Sequence, residues 1–121
     1  LGKNHPDYAS SCNNLTVLYS DMGQYEKAES FYIEAKNIRE KTLGKNHRDY
    51  AGSCNNLATL YEGMGQYEKA EPLFIEAKNT RERALGKNHS LYAGSCNNLA
   101  GLYRVMGQYE NQNLYILKQK I

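Results

Sequence analysis

Apolar residues recur along this chain at the spacing of a helix and nowhere at that of a strand. Tyr8, Cys12, Leu15, Tyr19 and Met22 step by four, three, four and three, which is one stripe of an amphipathic helix. Gly23-Gln24 interrupts it, and a second stripe runs through Tyr25, Ala28, Tyr32, Ala35 and Ile38. Arg39 and Lys41 then stand where they complement the helix dipole, and Gly44 is placed to cap the C-terminus. The pattern predicts paired helices: helix A near 6–22, 48–64 and 90–106, helix B near 25–41, 67–83 and 109–120. Pro6, with Asp7 beside it, suits the first turn of helix A. Pro72 lies about five residues into the second helix B, where the missing N–H predicts a small irregularity and not a break.

The helix pairs recur because the sequence does. LGKNHPDYA at Leu1 returns as LGKNHRDYA at Leu43 and LGKNHSLYA at Leu85; SCNNL falls at Ser11, Ser53 and Ser95, and MGQYE at Met22, Met64 and Met106. Units 1–42 and 43–84 share 30 of 42 positions, and 43–68 and 85–110 share 21 of 26. A fixed period of this size marks a repeat array, in which no unit buries its own apolar face and neighbours stack into one core. The expectation is one all-α domain over 1–121, with repeats at 1–42, 43–84 and 85–121.

The remaining bulk features narrow the function classes. A net charge of +2 gives neither a nucleic-acid footprint nor a membrane-binding surface, and no apolar window reaches the length of a transmembrane span. The Arg81–Arg83 cluster reads as an exposed helix end. The chain opens at Leu1, without a Met and at a repeat boundary, as expected of a piece of a longer protein. Cys12, Cys54 and Cys96 occur once per repeat, too far apart in a stack to bridge. They read as small buried hydrophobes in a reducing, cytoplasmic setting.

No catalytic constellation emerges, and the chain is expected not to be an enzyme and to need no metal or cofactor. His5, His47 and His89 are one per unit, so they cannot converge on one metal, and capping helix A or packing on the adjacent turn is the better reading. Gly44-Lys45-Asn46 lacks the upstream glycine and the Ser/Thr of a phosphate loop. Ser11 and His5 have no third, orienting group. Glu26, Glu29 and Glu34 among Lys27 and Lys36 read as the solvated face of helix B.

Leu15, Thr16, Tyr19, Gly23, Tyr25, Ala28, Tyr32 and Ala35, repeated as Leu57, Ala58, Tyr61, Gly65, Tyr67, Ala70, Phe74 and Ala77, resemble the signature of the tetratricopeptide repeat. The usual unit has about 34 residues, so the eight extra ones fit as a longer helix B and the LGKNH loop. The form is similar to the 42-residue repeats of kinesin light chains. The resemblance implies a right-handed α-solenoid of three stacked helix-turn-helix units, with helix A lining a concave groove that binds peptides or partner proteins. The third unit departs from the pattern: Gln112, Ile116 and Gln119 replace Ala, aromatic and Ala, which suggests a degenerate terminal helix capping the stack.

At 100° per residue, the face of helix A opposite the core stripe carries Ser10, Val17 and Asp21, then Gly52, Thr59 and Gly63, then Gly94, Gly101 and Val105. Asn13/Asn14, Asn55/Asn56 and Asn97/Asn98 flank it. Each mid-helix asparagine costs roughly 0.5–0.7 kcal/mol against alanine, so something offsets six of them. Two readings stand: amides that meet a peptide backbone, as the resemblance to kinesin-like arrays implies, or an inter-repeat amide ladder. Differences between the units also fall largely on this face, as a non-repetitive ligand would need or as drift on a solvated surface would produce. The candidate peptide-binding set is Asn13, Asn14, Val17, Asn55, Asn56, Thr59, Glu62, Asn97, Asn98 and Arg104. Arg104 is its lone cation, so an acidic peptide tail is not the expected ligand.

The leading expectation is a scaffold for an extended peptide or partner helix, with no nucleic acid and no membrane among its partners. The alternative is self-assembly, a homo-oligomer formed by stacking or swapping through the terminal helices, since near-identical units expose at the ends what they bury inside. RNA reading by a repeat code is disfavoured by the charge and by identical Asn pairs, which would read a monotonous sequence.

Overall fold

The computed structural model describes residues 23–119, with side chains to residue 108. Four helices follow one another: α1 (Tyr25–Leu43), α2 (Arg48–Gly63), α3 (Tyr67–Leu85) and α4 (Ser90–Gln119). There is no strand among the described residues. The first helix A, with Cys12, Asn13, Asn14 and Val17, lies outside them. The helices form an all-α repeat solenoid in which each packs on the next.

Local chemistry sets the boundaries. Gly65 adopts φ 75, which L side chains rarely take, and lets Gln66 N–H reach Tyr61 C=O at 2.8 Å while Gly65 N–H reaches Glu62 C=O at 3.0 Å. That pair of bonds closes the end of α2 and reverses the chain within three residues. Gly44 and Gly86 end α1 and α3, their N–H groups bonded to Glu40 and Glu82 carbonyls. His47 and His89 then start α2 and α4: each Nδ1 accepts from a backbone N–H two residues on, Asp49 and Leu91, at 3.0 Å. Pro72 sits inside α3, which runs unbroken through it.

The core is a seam of alanines and aromatics. Ala28 and Tyr32 of α1, Leu57, Ala58, Leu60 and Tyr61 of α2, Ala70 and Phe74 of α3 and Leu102 of α4 form one buried cluster. Tyr50, Ala51, Cys54 and Ala77 form another between α2 and α3. Ala28, Ala35, Ala51, Ala58, Ala70 and Ala77 are all at 0% exposure, so helix backbones approach closely there and nothing longer fits.

The third unit corrects the expected hairpin. In place of helix A, a turn and helix B at 109–120, α4 continues as a single 30-residue helix. Gly107, the counterpart of Gly65, lies within it and has no positive φ. The reason lies in the residues that would fold back. Gln112 and Gln119 occupy the positions of Ala70 and Ala77, whose sites are fully buried. Folding back would bury two amides where only a methyl fits, while continuing the helix satisfies each backbone group in turn.

A candidate peptide groove on the helix A face

One arginine read from the sequence as exposed, and its counterpart one unit earlier, are structural. Arg81 is not part of an exposed helix end: it is 8% exposed, and its Nη1 donates to Ser95 Oγ at 2.8 Å and Leu91 C=O at 3.4 Å. Arg39 repeats the motif one unit earlier, donating to Ser53 Oγ at 3.0 Å and Asp49 C=O at 3.4 Å. Each clamp ties a helix B to the next helix A and explains the recurring serine of SCNNL. Burial, then the positive charge of Arg48, lowers the Arg81 pKa from its ordinary value. The common 42-residue step of Arg and Ser was the signal for this pair. Glu29, read as part of a solvated face, accepts from the Tyr61 hydroxyl, and Tyr50 donates to Glu76 at 3.3 Å. The outer end of α3 is anchored by Thr80 donating to Lys45 C=O at 3.1 Å and Arg83 to Asn46 at 2.9 Å.

The opposite face of α2 and α4 is built differently. Gly52, Gly63, Gly94 and Gly101 are all helical, and a Cβ placed on any of them would meet nothing within 4 Å. Thr59, Asn97 and Arg104 are exposed, and Glu62, Asn55, Asn56 and Asn98 are half-buried. Thr59 Oγ1 turns inward to donate to Asn55 C=O at 2.9 Å. Asn98 Nδ2 donates to Asn55 Oδ1 at 2.8 Å, an amide rung from the third repeat to the second. The rung uses the second asparagine of one unit and the first of the unit before it. It leaves Asn55 with amide N–H groups and Asn98 with a carbonyl oxygen to offer.

Cys54 is fully buried and Cys96 half-buried. Burial, partly offset by a hydrogen bond with Tyr50, pushes the Cys54 thiol from 9.0 up to about 11. Burial, then Glu29, pushes the Tyr61 hydroxyl up to about 12. These groups favour the folded state while neutral. Their contribution is therefore complete below the unfolded-state pKa and is lost as pH rises through the folded one. Stability is expected to hold to about pH 9 and fall towards pH 11. The loss from Cys54 alone is roughly 2–3 kcal/mol, since each tenfold change in proton affinity is worth about 1.4 kcal/mol. Urea midpoints across this range, in wild type and Cys54→Ala, check it: the substitution should flatten the decline between pH 9 and 11.

No helix among the described residues is long and apolar enough to cross a membrane. Nor do three His, Cys, Asp or Glu side chains gather there as a metal site requires.

The profile of the tetratricopeptide repeat matches residues 13–71 and again 53–111. The chain belongs to the tetratricopeptide-repeat family. Such repeat proteins generally act as protein-interaction scaffolds rather than enzymes. Among solved structures, the chain is similar to BtubC (BKLC) from P. vanneervenii, at 30% identity and a TM-score of 0.76, over 84% of this chain and 41% of that one. It is also similar to the nearly identical TPR-like repeats of a putative kinesin light chain from Podosopora anserina, at 27% identity and a TM-score of 0.79, over 98% of this chain and 56% of that one. A point variant of those same repeats matches at 27% identity and a TM-score of 0.77. This tetratricopeptide array thus spans about half the length of the solved relatives it matches and has repeats of the kinesin-light-chain kind. No curated protein matches the chain.

Proposed function

We propose that this chain is a cytoplasmic, non-enzymatic scaffold that holds an extended peptide against the helix A face, with the asparagine amides meeting the peptide backbone. One observation carries the reading: four glycines stand within helices with open space before each, and no packing contact requires their smallness. A helical glycine costs roughly 0.5–1 kcal/mol against alanine. A face that tolerates this cost four times is one that another backbone must approach. The amide rung supplies donors and an acceptor along the same line, and the side chains that differ between repeats, Thr59, Glu62 and Arg104, flank it.

The test is a selection of random peptides on the chain, counter-screened on Gly52→Ala and Gly94→Ala. These substitutions leave the amide rung intact, whereas asparagine variants would break it. Each is expected to raise stability by up to about 1 kcal/mol, since nothing obstructs the added methyl. Each should also weaken selected peptides roughly tenfold, equivalent to about 1.4 kcal/mol. Stabilised variants that bind as wild type does, or a selection with no enrichment, would reject a groove at these glycines.

A further inference from the structure

α2 and α4 carry the same residues on one face, yet only α2 has that face covered. Ala51, Cys54, Ala58 and Tyr61 are 0%, 0%, 0% and 8% exposed, because α3 turns back at Gly65 and lies over them. Their counterparts on α4 are Ala93, Cys96, Ala100 and Tyr103. Ala93 and Ala100 are exposed, Tyr103 is 46% exposed and Cys96 is half-buried. A surface that takes an antiparallel helix in the second repeat is present in the third without one.

The chain itself offers a helix for it. At 100° per residue, Tyr92, Cys96, Leu99, Tyr103 and Met106 lie along one line of α4. The same helical phase puts positions 114 and 117, both leucine, on that line, with Glu110 between them and Met106. The apolar stripe therefore runs on past the uncovered patch, along a helix about 45 Å long. A stripe of this kind is self-complementary when two copies run antiparallel.

The register follows from the second repeat. There Tyr61 shares a cluster with Ala70, and Cys54 with Ala77, and both pairs are centred on Gly65-Gln66. One repeat further on, that centre is Gly107-Gln108, where a Cβ on the glycine would meet nothing. We infer that two copies of this chain pair antiparallel along α4, with the two-fold axis beside Gly107. Positions 112–119 of each copy then lie opposite the stretch from Cys96 to Tyr103 of the other. The register is that of the hairpin but the face is not, because positions 112 and 119 lie on the opposite side of the straight helix from the line of 114 and 117. Positions 112 and 119, both glutamine, therefore lie away from the seam and meet no methyl-sized site. The glycine face of α4 lies on the opposite side and stays open.

Sedimentation equilibrium of the full chain tests this. The expected species is a reversible dimer of twice 13.8 kDa. Tyr103→Glu and, separately, Leu117→Glu should each give monomers with unchanged helical circular dichroism. Tyr103 is exposed in the single chain, so its replacement does not open that chain's core. Alkylation of Cys96 should slow roughly tenfold as wild type passes from monomer to dimer, with the rate at Cys54 unmoved, because covering a half-buried thiol removes its open fraction. Wild type that stays monomeric at high concentration would overturn the inference. So would a dimer indifferent to both substitutions.

Discussion

Phe74→Ala is expected to cost about 3–5 kcal/mol, the usual range for removing a fully buried aromatic from a packed core. Phe74 is 1% exposed and the largest fully buried side chain among the described residues. It is also where the helices meet: its cluster takes Ala28 and Tyr32 from α1, Leu57, Ala58 and Tyr61 from α2, and Leu102 from α4. Backbones held close by fully buried alanines have little room to collapse into the space left, so the cavity persists. Domains of this size are stable by only about 5–15 kcal/mol, so this one change removes a large share of the total. Stability in a repeat array is a sum of unit and interface terms. A cavity at the junction of four helices should therefore weaken coupling as well as the unit itself. Urea unfolding followed by circular dichroism should show a lower midpoint and a shallower transition. A lower midpoint at unchanged steepness would mean that the array still unfolds as one body. Phe74→Leu, which keeps most of the volume, should lose less than about 1.5 kcal/mol.

The triple substitution Gln112→Ala, Ile116→Phe, Gln119→Ala is expected to break α4 at Gly107 and fold its second half back over its first. It restores at the third repeat the residues of Ala70, Phe74 and Ala77, which cover α2. MGQYE is already the same in both units, so the turn chemistry is present and only the returning face is lacking. With alanine at the two close-contact positions, the hairpin no longer buries an unpartnered amide. Tyr103 should fall from 46% exposed to about the 8% of Tyr61. That ring alone contributes about 2 kcal/mol at about 25 cal/mol/Å² of apolar area. Hydrogen exchange should show a gap in protection at Gly107-Gln108, and Cys96 should become as slow to alkylate as Cys54. A variant that keeps continuous protection through 107–108 would show that the glutamines are not what straightens the helix.

The fold was legible where one period governs everything. The 42-residue repeat, the 3.6-residue stripes and the Gly65 and Gly44 signals placed α1, α2 and α3 to within two residues at every end. Each of those decisions rests on a local preference that the stacked neighbours reinforce. The third repeat was misread because its turn sequence matches the others while its returning face does not. Whether a glycine turns or continues a helix depends on what the next dozen residues can bury. The glycine-rich face of helix A was legible in outline, since its glycines lie opposite the core stripe. The clamp by Arg39 and Arg81 was hidden because an arginine near a helix end reads as solvated until the next helix is laid over it.

By itself, the sequence determined an all-α array of tetratricopeptide-type pairs, the alanine and aromatic core, and the glycine-rich face, because periodicity and residue size are properties of single positions. Only the tertiary structure decided that Asn98 bonds Asn55, that Arg81 is buried against Ser95, and that α4 runs straight and leaves Tyr103 uncovered. Those outcomes depend on how closely two helices approach and on whether each buried polar group finds a partner. That is settled between elements, after each one has formed.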